Sequence, residues 1–309
     1  MARILNLGSL NTDYVYRMQR IACSGETLAS TGFSRGAGGK GLNQSIALAR
    51  AGAEVYHAGC LGRDADWLRK LLEEEKVNTW RLASVDQPQG HAIIQVDAKG
   101  SNAIVLHGGA NLSLVPGDLE ARFEGFGVGD WFLTQNETSC VPEALTLASA
   151  RGLTVCFNPA PMHADVGTYP LAMVDWLVVN EHEGCELTGE TAPGGILRGL
   201  RKCSPRANLI LTLGATGAWG VPPEGDAVFV PAPVVQAVDT TAAGDTFMGY
   251  LLAASMQGAT LQVALDLACR AGGVCVTRAG AAASIPYRHE LGGGCDASQV
   301  ECSGSPDAN

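Results

Sequence analysis

The sequence lacks any cluster of positive charge and any long apolar segment. It carries 21 lysines and arginines against 31 acidic residues, which gives a formal net charge of -10 at pH 7. Without a basic patch, a nucleic-acid backbone is disfavoured as a partner. The N-terminal segment turns polar before Asp13, too early for a secretory signal or a membrane-spanning helix. We therefore expect a cytoplasmic protein that binds small molecules and neither nucleic acid nor membrane.

Close-spaced metal ligands and a dinucleotide-binding loop are also missing. The 10 cysteines are scattered without a Cys-x-x-Cys pair, and the 6 histidines do not complete a zinc pattern. In a cytoplasmic chain most such cysteines are expected to be reduced and buried. No Gly-x-Gly-x-x-Gly follows the first apolar run, which disfavours a dinucleotide-dependent oxidoreductase. Any polyanion that the protein binds should be small and held locally.

Short apolar runs alternate with amphipathic segments along most of the chain. Unbroken apolar runs of this length suit strands that are covered on both faces, and the segments between them carry apolar residues at helical spacing. With 46% hydrophobic residues in 309, the chain can form one large core. The pattern predicts a layered α/β fold in a single domain over residues 1–290. The predicted strands lie in 3–8, 54–62, 130–137, 153–161, 175–181 and 209–217, and the predicted helices in 41–51, 67–75, 142–151 and 246–256.

Two segments, 14–33 and 90–107, interrupt this alternation. Both contain short patterns of alternating polarity, and Lys99-Gly100 is typical of a hairpin turn. We expect them to form a small β-sheet lid inserted in the main domain. Residues 291–309 are poor in large apolar side chains and rich in glycine, serine and aspartate, so we expect a weakly ordered tail.

The segment Val238–Phe247 runs from small residues and a glycine straight into a helical pattern. Consecutive backbone N–H groups at a helix N-terminus favour negative charge, and small side chains let a phosphate approach closely. Asp245 falls in the first turn of that helix, where an aspartate often serves only as a cap. A catalytic role for Asp245 therefore needs independent support.

A second glycine cluster, Gly38–Gln44, opens a second predicted helix. It is not a Walker A loop, because Lys40 is followed by Gly41 instead of serine or threonine. Polar residues also follow several predicted strands, at the edge where an open parallel sheet binds its ligands. These strand-end residues are Asn11, Asp13, Glu137, Asn158, Asn180, Glu183 and Thr212.

Taken in order, these motifs resemble the ribokinase-like carbohydrate and nucleoside kinases. The resemblance rests on GSLNTD, GGKGLNQ, HGGAN, FNPAP, NEHE, TLGATG, VDTTAAGDTF and VTRAGAAASIP. It implies a ribokinase-like three-layer sandwich with a mostly parallel central sheet and a small β-sheet lid. It also implies an ATP-dependent sugar kinase. The exposed edges of the two lid segments can pair between subunits, so we expect a homodimer through the lid.

The resemblance also implies a role for each position in the reaction. Asp245 would be the general base for the acceptor hydroxyl, and the N–H groups of Ala242, Ala243 and Gly244 would form an anion hole. The sugar would be held by residues with the donors and acceptors that a polyol requires. These are Asn11, Asp13, Gly39, Lys40, Asn43 and Glu137, together with Asp245.

ATP would lie against a second set of residues, with magnesium on its phosphates. This set comprises Asn180, Glu183, Thr212, Gly214, Ala215, Gly217 and Gly244. The resemblance implies a monovalent cation as well, typically potassium, beside the anion hole. Its ligands would be the Asp239 carboxylate, the Ser284 hydroxyl and the carbonyls of Thr241, Cys275, Arg278 and Gly280. Cys269 falls where the nucleotide base is often contacted, so the purine pocket is expected to differ in detail.

The acceptor stays open among several polyols. The motifs resemble the ribose-specific branch most, which implies transfer to the primary 5-hydroxyl of D-ribose. Deoxyribose, a fructose-type sugar and an adenosine-like nucleoside are alternatives, because a few contacts at the rim decide the acceptor. A non-catalytic sugar or nucleotide sensor is a further alternative, since a fold by itself does not establish activity. It is disfavoured because both Asp245 and Gly244 are present.

Overall fold

The computed structural model describes residues 2–292 of the chain, in which thirteen strands form two separate sheets. In chain order the strands are β1 (Arg3–Leu7), β2 (Asn11–Arg17), β3 (Gly32–Gly38), β4 (Glu54–Gly62), β5 (Asn78–Val85), β6 (His91–Val96), β7 (Asn102–His107), β8 (Trp131–Gln135), β9 (Thr154–Asn158), β10 (Trp176–Asn180), β11 (Asn208–Thr212), β12 (Gly217–Val221) and β13 (Val228–Pro231). All six strands predicted from apolar runs are confirmed.

The larger sheet has nine strands in the order β13-β12-β11-β10-β9-β8-β1-β4-β5. Neighbours from β11 through β5 pair in parallel, whereas β12 and β13 are antiparallel additions at one edge. The parallel strands read as unbroken apolar runs because helices cover both of their faces. The mostly parallel central sheet is therefore confirmed.

Helices form a layer on each face of this sheet. In chain order they are α1 (Lys40–Arg50), α2 (Asp66–Glu74), α3 (Leu119–Phe123), α4 (Val141–Ala150), α5 (Glu181–Thr188), α6 (Pro193–Cys203), α7 (Ala243–Met256) and α8 (Leu261–Cys275). Successive strand residues point to opposite faces, so Ile4 packs in the core under α1, α2, α7 and α8. Leu5 packs in the second core, which α3, α4 and α6 share. The three-layer sandwich is confirmed, and all four predicted helices are present.

The smaller sheet has the order β3-β2-β6-β7. Its β6–β7 hairpin turns through 97–101, where the Asp97 N–H donates to the Ser101 carbonyl and Gly100 has a φ of 85°. The β-sheet lid is thus confirmed, but the predicted bounds 14–33 were too narrow. The hairpin of β2 and β3 runs from Asn11 to Gly38. The two strands pair along their whole length, and β2 begins only four residues after β1 ends.

The end of the described chain packs against the main domain. Leu291, where the tail was expected to begin, is buried at the end of the turn Arg288–Leu291. The remainder of the predicted tail, 293–309, lies outside the described residues, and the single-domain bounds stay a prediction. None of the helices within 2–292 combines the length and apolarity needed to cross a bilayer.

Candidate active site

The position of the ligand crevice follows from the order of the strands. From β1 the chain adds β4 and β5 on one side, and β8 through β13 on the other. An open α/β sheet binds ligands at the carboxyl ends of its strands where the order reverses in this way. Ser9 follows β1 and Glu137 follows β8, and the Ser9 hydroxyl donates a hydrogen bond of 2.5 Å to Glu137 Oε2. The carboxyl ends of β1 and β8, and with them the predicted residue Glu137, therefore meet at this edge.

Glu137 also caps the helix that carries the second glycine cluster. Its Oε2 accepts the backbone N–H of Lys40, the first residue of α1, at 3.0 Å. Gly39 has a φ of 95°, and a β-carbon there would lie 2.9 Å from the backbone nitrogen of Asn11. Only glycine adopts this conformation freely and leaves that space. The cap and the glycine together set Lys40 at the mouth of the crevice.

The Lys40 ammonium lies in the field of three carboxylates. Burial lowers the pKa of Lys40, but Asp245, Glu137 and Glu183 oppose that effect and raise the pKa above its ordinary value. These carboxylates belong to α7, to the loop after β8 and to α5 respectively. Lys40 therefore stays a cation at the point where these elements converge, and its charge suits the oxygens of a phosphate.

Asn11 and Asp13 lie on one face of the first lid strand. Asn11 is buried, and its Oδ1 accepts a hydrogen bond of 2.8 Å from Asn111 Nδ2. The Asp13 carboxylate fills space that Gly38 leaves free, because a β-carbon there would lie 2.2 Å from Asp13 Oδ2. Burial and the charge of Glu137 raise the pKa of Asp13 to about 6. Above that pH, Asp13 is a desolvated and strong acceptor for a hydroxyl group.

Amides from α1 hold both carboxylate oxygens of Asp245. Asn43 Nδ2 donates to Oδ2 and Gln44 Nε2 donates to Oδ1, each at 2.9 Å. Asp245 is the third residue of α7 and only 8% exposed. A simple cap would accept hydrogen bonds from the backbone of its own helix. Asp245 instead accepts them from side chains of α1.

The loop before α7 presents backbone N–H groups to open space. Ala242 has a left-handed φ of 60°, a conformation that costs a non-glycine residue about 1–3 kcal/mol. Within residues 2–292 the N–H groups of Ala242 and Gly244 have no acceptor, but that of Ala243 donates to the Thr240 carbonyl at 3.3 Å. A β-carbon on Gly244 would meet nothing within 4 Å. Two of the three predicted anion-hole groups are therefore free, and the third makes a long turn bond.

Asn180 and Glu183 form a reciprocal cap at the start of α5. Asn180 Oδ1 accepts the Glu183 N–H at 2.8 Å, while the Glu183 carboxylate accepts the Asn180 N–H at 3.0 Å and its Nδ2 at 2.9 Å. Burial raises the pKa of Glu183, opposed by the hydrogen bond from the Asn180 backbone and by the charge of Lys40. Oxygens that are already hydrogen-bonded fit a magnesium ion that keeps most of its waters.

The turn Gly214–Thr216 lies at the carboxyl end of β11, directly after Thr212 and Leu213. Gly214 and Gly217 have φ values of 53° and 133°, and a β-carbon on Gly217 would lie 2.1 Å from the Val230 carbonyl oxygen. The three residues of the turn are exposed. Their backbone is therefore open to a ligand in the same crevice, which fits the predicted place of the nucleotide.

Asp239 links the loop before α7 to the loop after α8. Its Oδ1 accepts the Thr241 N–H at 2.9 Å and the Thr241 hydroxyl at 2.6 Å, and its Oδ2 accepts the Gly280 N–H at 2.9 Å. Burial raises the pKa of Asp239, but these hydrogen bonds outweigh it and hold the pKa below its ordinary value. Cys275 Sγ lies 3.1 Å from Ser284 Oγ and 3.7 Å from the Thr241 carbonyl oxygen. Five of the predicted cation ligands are thus neighbours.

Several residues of the site had no role assigned from the sequence. Ser9, Gln44 and Asn111 each contact a predicted site residue, and the motifs GGKGLNQ and HGGAN held the only signal for the last two. Cys269 is buried on α8 with its Sγ 3.9 Å from the Val230 carbonyl oxygen, and burial raises its pKa to about 11. Cys269 is therefore a core residue against the sheet edge.

The fold and the site together define a class of protein, the α/β phosphotransferases that act on small polyols. A buried carboxylate beside an open helix N-terminus supplies the positioning and the charge stabilisation on which phosphoryl transfer to a hydroxyl depends. The chain belongs to the pfkB family of carbohydrate kinases, whose family profile matches residues 1–288. The membership that the sequence motifs implied is confirmed.

Individual relatives cover nearly the whole chain. A ribokinase from Schizosaccharomyces pombe is 35% identical over 314 aligned positions, which cover 95% of this chain and 98% of the relative. The crystal structure of a Cryptococcus neoformans ribokinase in complex with ADP is 36% identical, with a TM-score of 0.81 and coverage of 94% and 99% of the two chains. An Arabidopsis thaliana ribokinase complexed with ribose and ATP is 29% identical, also with a TM-score of 0.81, and covers 94% and 98%.

Proposed function

We propose that the protein transfers the γ-phosphoryl group of ATP to the primary 5-hydroxyl of D-ribose, with Asp245 as the general base. One observation carries the proposal. The Asp245 carboxylate is buried, fixed on both oxygens, and placed beside the free N–H groups of Ala242 and Gly244. A loose phosphoryl-transfer transition state needs positioning and charge stabilisation more than a strong base.

The chemistry follows from these groups. Asn11, Asp13 and Glu137 offer hydrogen-bond acceptors to the sugar hydroxyls, and Asn43 has a buried Oδ1 without a partner within the described residues. Asp245 takes the proton as the acceptor oxygen attacks phosphorus, and the leaving group is ADP. The free N–H groups, with the weakly bonded one of Ala243, face the charge that develops on the transferred oxygens.

ATP and magnesium fit the groups at the ends of β10 and β11. The Gly214–Gly217 turn, including Ala215, would contact the ribose and the phosphates of ATP. The acceptor sugar would lie on the other side of the phosphates. Asn180 and Glu183 would hold magnesium through water, since their own oxygens and amides are committed to the cap of α5. When bound, magnesium neutralises phosphate charge. The Lys40 ammonium adds to this from the sugar side.

A potassium ion fits the paired loops beside the anion hole. Carbonyl oxygens of Thr241, Cys275, Arg278 and Gly280 would join the Asp239 carboxylate and the Ser284 hydroxyl. Gly280 has a φ of 94° in this loop, and the Arg278 guanidinium donates to Glu290 Oε1 at 2.6 Å. When bound, the ion would fix the loop that carries Ala242. Native activity should rise when sodium is replaced by potassium, and equal rates in both salts would contradict the site.

Ribose is favoured over other acceptors by relatives that match nearly the whole chain. Several are named ribokinase, but a protein from Salmonella typhi that is 31% identical is named deoxyribokinase. ATP consumption with ribose, deoxyribose, fructose and adenosine tests the choice. We expect the largest kcat/KM with ribose. A larger value with another acceptor would transfer the proposal to that substrate, and no turnover with any of them would favour a sensor.

Apolar residues on the edge strand of the lid support a homodimer. On β7, Ile104, Val105 and Leu106 are 57%, 65% and 48% exposed, and an uncovered apolar strand edge favours pairing with a second copy. Sedimentation should give a dimer at assay concentrations and a monomer for Val105→Asp. A native monomer would contradict this assembly. A cytoplasmic location stays a prediction.

A further inference from the structure

We infer that Gln44 is a positioning residue for phosphoryl transfer, and that a buried chain of amide side chains orients it toward Asp245. The inference deepens the proposed function and rests on Asp245 being the base. Gln44 is fully buried and uses every hydrogen-bonding group that it has. Its Nε2 donates to Asp245 Oδ1 at 2.9 Å and to Asn158 Oδ1 at 3.2 Å, and its Oε1 accepts from Gln135 Nε2 at 2.8 Å.

Two backbone carbonyls, one at each end of this chain of amides, fix the direction of the two terminal amide groups. Asn158 Nδ2 donates to the Val178 carbonyl at 3.0 Å, so its Oδ1 must face Gln44. On the other side Asn6 Nδ2 donates to the Gly41 carbonyl at 2.8 Å, which turns Asn6 Oδ1 toward Gln135. Carbonyls accept only, so neither terminal amide can flip without losing its hydrogen bond.

Gln135 passes this orientation on to Gln44. Its Nε2 donates to Asn6 Oδ1 at 2.9 Å as well as to Gln44 Oε1, which leaves the Gln44 nitrogen facing Asp245. Amides donate and accept without changing protonation, so the chain sets an orientation and does not carry protons. Its effect is to give Asp245 Oδ1 a fixed donor inside the core, where a hydrogen bond to a charged group is strong.

Gln44→Met tests this function with little change in volume. Loss of a hydrogen bond to a charged, buried group should lower kcat about ten- to a hundredfold. The KM for ribose should change by less than about twofold, because the sugar contacts remain. The loss should therefore fall on kcat, as expected for a donor that orients the base and does not contact the sugar. A merely structural glutamine would lower the melting temperature and leave kcat near the native value.

Ser45→Ala is the matched control on the same helix. The buried Ser45 hydroxyl accepts a hydrogen bond of 2.8 Å from Asn6 Nδ2 and makes another of 2.8 Å with His57 Nδ1. Neither of these hydrogen bonds involves Asp245. Asn6 keeps its hydrogen bond to the Gly41 carbonyl in this variant, so kcat should stay near the native value although stability falls. An equal fall of kcat in both variants would overturn the inference, as would a native kcat in Gln44→Met.

Gln44→Glu carries the test if the methionine variant does not fold. Two carboxylates that share one proton have one strongly raised pKa. The introduced acid can donate to Asp245 only while it is protonated, so activity relative to the native enzyme should fall as pH rises through that pKa. A constant ratio would overturn the inference. Turnover by Asp245→Asn separates the two failures, because near-native activity there refutes the base itself, whatever Gln44 does.

Discussion

Gly249 on α7 lies against Ala47 on α1 so closely that a β-carbon on Gly249 would be 2.4 Å from Ala47 Cβ. On α7, Gly249 lies about one helical turn after Asp245. On α1, Ala47 lies about one turn after Asn43 and Gln44, which donate to Asp245. Helices that carry a glycine at the crossing can approach more closely than larger side chains allow. The hydrogen bonds that fix the base therefore depend on a missing side chain in the core.

Gly249→Ala should separate these two helices. We expect a loss of stability of about 1–3 kcal/mol, because overpacking forces backbone shifts. Activity should fall more than stability predicts, by about tenfold or more in kcat, since the donors to Asp245 move away. Gly117→Ala is the control, because a β-carbon there meets nothing within 4 Å. Native kcat in a folded Gly249→Ala enzyme would contradict this account of the contact.

Asp13 should make the unliganded protein less stable as pH rises. Its pKa is raised from 3.8 to about 6 in the folded state, so the folded protein binds this proton more tightly than the unfolded chain. The stabilisation is complete below the unfolded pKa and is lost as pH rises through about 6.

Asp13→Asn should therefore be more stable than the native protein near pH 8, by about 2 kcal/mol, and equally stable near pH 4. Ribose affinity of this variant should be lower at every pH above about 6, where the native carboxylate is ionised. Denaturant unfolding at both pH values tests this. Asp86→Asn, at an exposed carboxylate, is the control, and an equal gain there would contradict the pKa argument.

Arg50 should control the affinity for potassium. Its guanidinium pairs with Glu75 in a largely buried salt bridge and donates to the carbonyls of Ala282 and Ile285, which flank Ser284. The C-terminal end of α1 thereby supports the proposed cation loop. Arg50→Lys keeps the charge but loses the planar guanidinium, whose several N–H groups reach both Glu75 and the two carbonyls.

We expect the potassium concentration for half-maximal activity to rise severalfold in Arg50→Lys, with the KM for ribose unchanged. Stability should fall by about 1–3 kcal/mol because buried carbonyls lose donors. Arg288→Lys is the matched control, since Arg288 Nη1 donates to the Ala51 carbonyl and Gln257 Oε1. An equal change of the potassium response in both variants, or no change in either, would contradict a role of Arg50 in potassium affinity.

The parallel core was predictable from the sequence because its strands are buried on both faces. The strands β1 and β4 and β8 to β11 are short apolar runs that end in glycine or polar residues. By contrast, β5 contains Trp80 and Arg81. Trp80 is exposed at the edge of the sheet, and Arg81 donates hydrogen bonds to carbonyls of a neighbouring helix and loop. An edge strand with such residues has no apolar run, so periodicity alone could not find it.

The sequence revealed the site residues that lie in local motifs, but not the contacts between distant segments that hold them. Lys40 and Asp245 lie in the first turns of helices that directly follow glycine-containing segments, and a single stretch of sequence reveals this pattern. The partners of Gln44 come from α7, β8 and β9, and nothing local in the chain pairs an amide with another amide. Whether Glu137 caps α1 likewise depends on a contact between distant segments.

Asp245→Asn tests the central claim most directly, with kcat and ribose affinity measured on the same folded preparation. The asparagine keeps the size of the side chain and cannot accept the proton from the sugar hydroxyl. We predict that kcat falls by several orders of magnitude while ribose still binds within about tenfold of the native affinity. Turnover near the native rate would contradict the role of Asp245 as the general base.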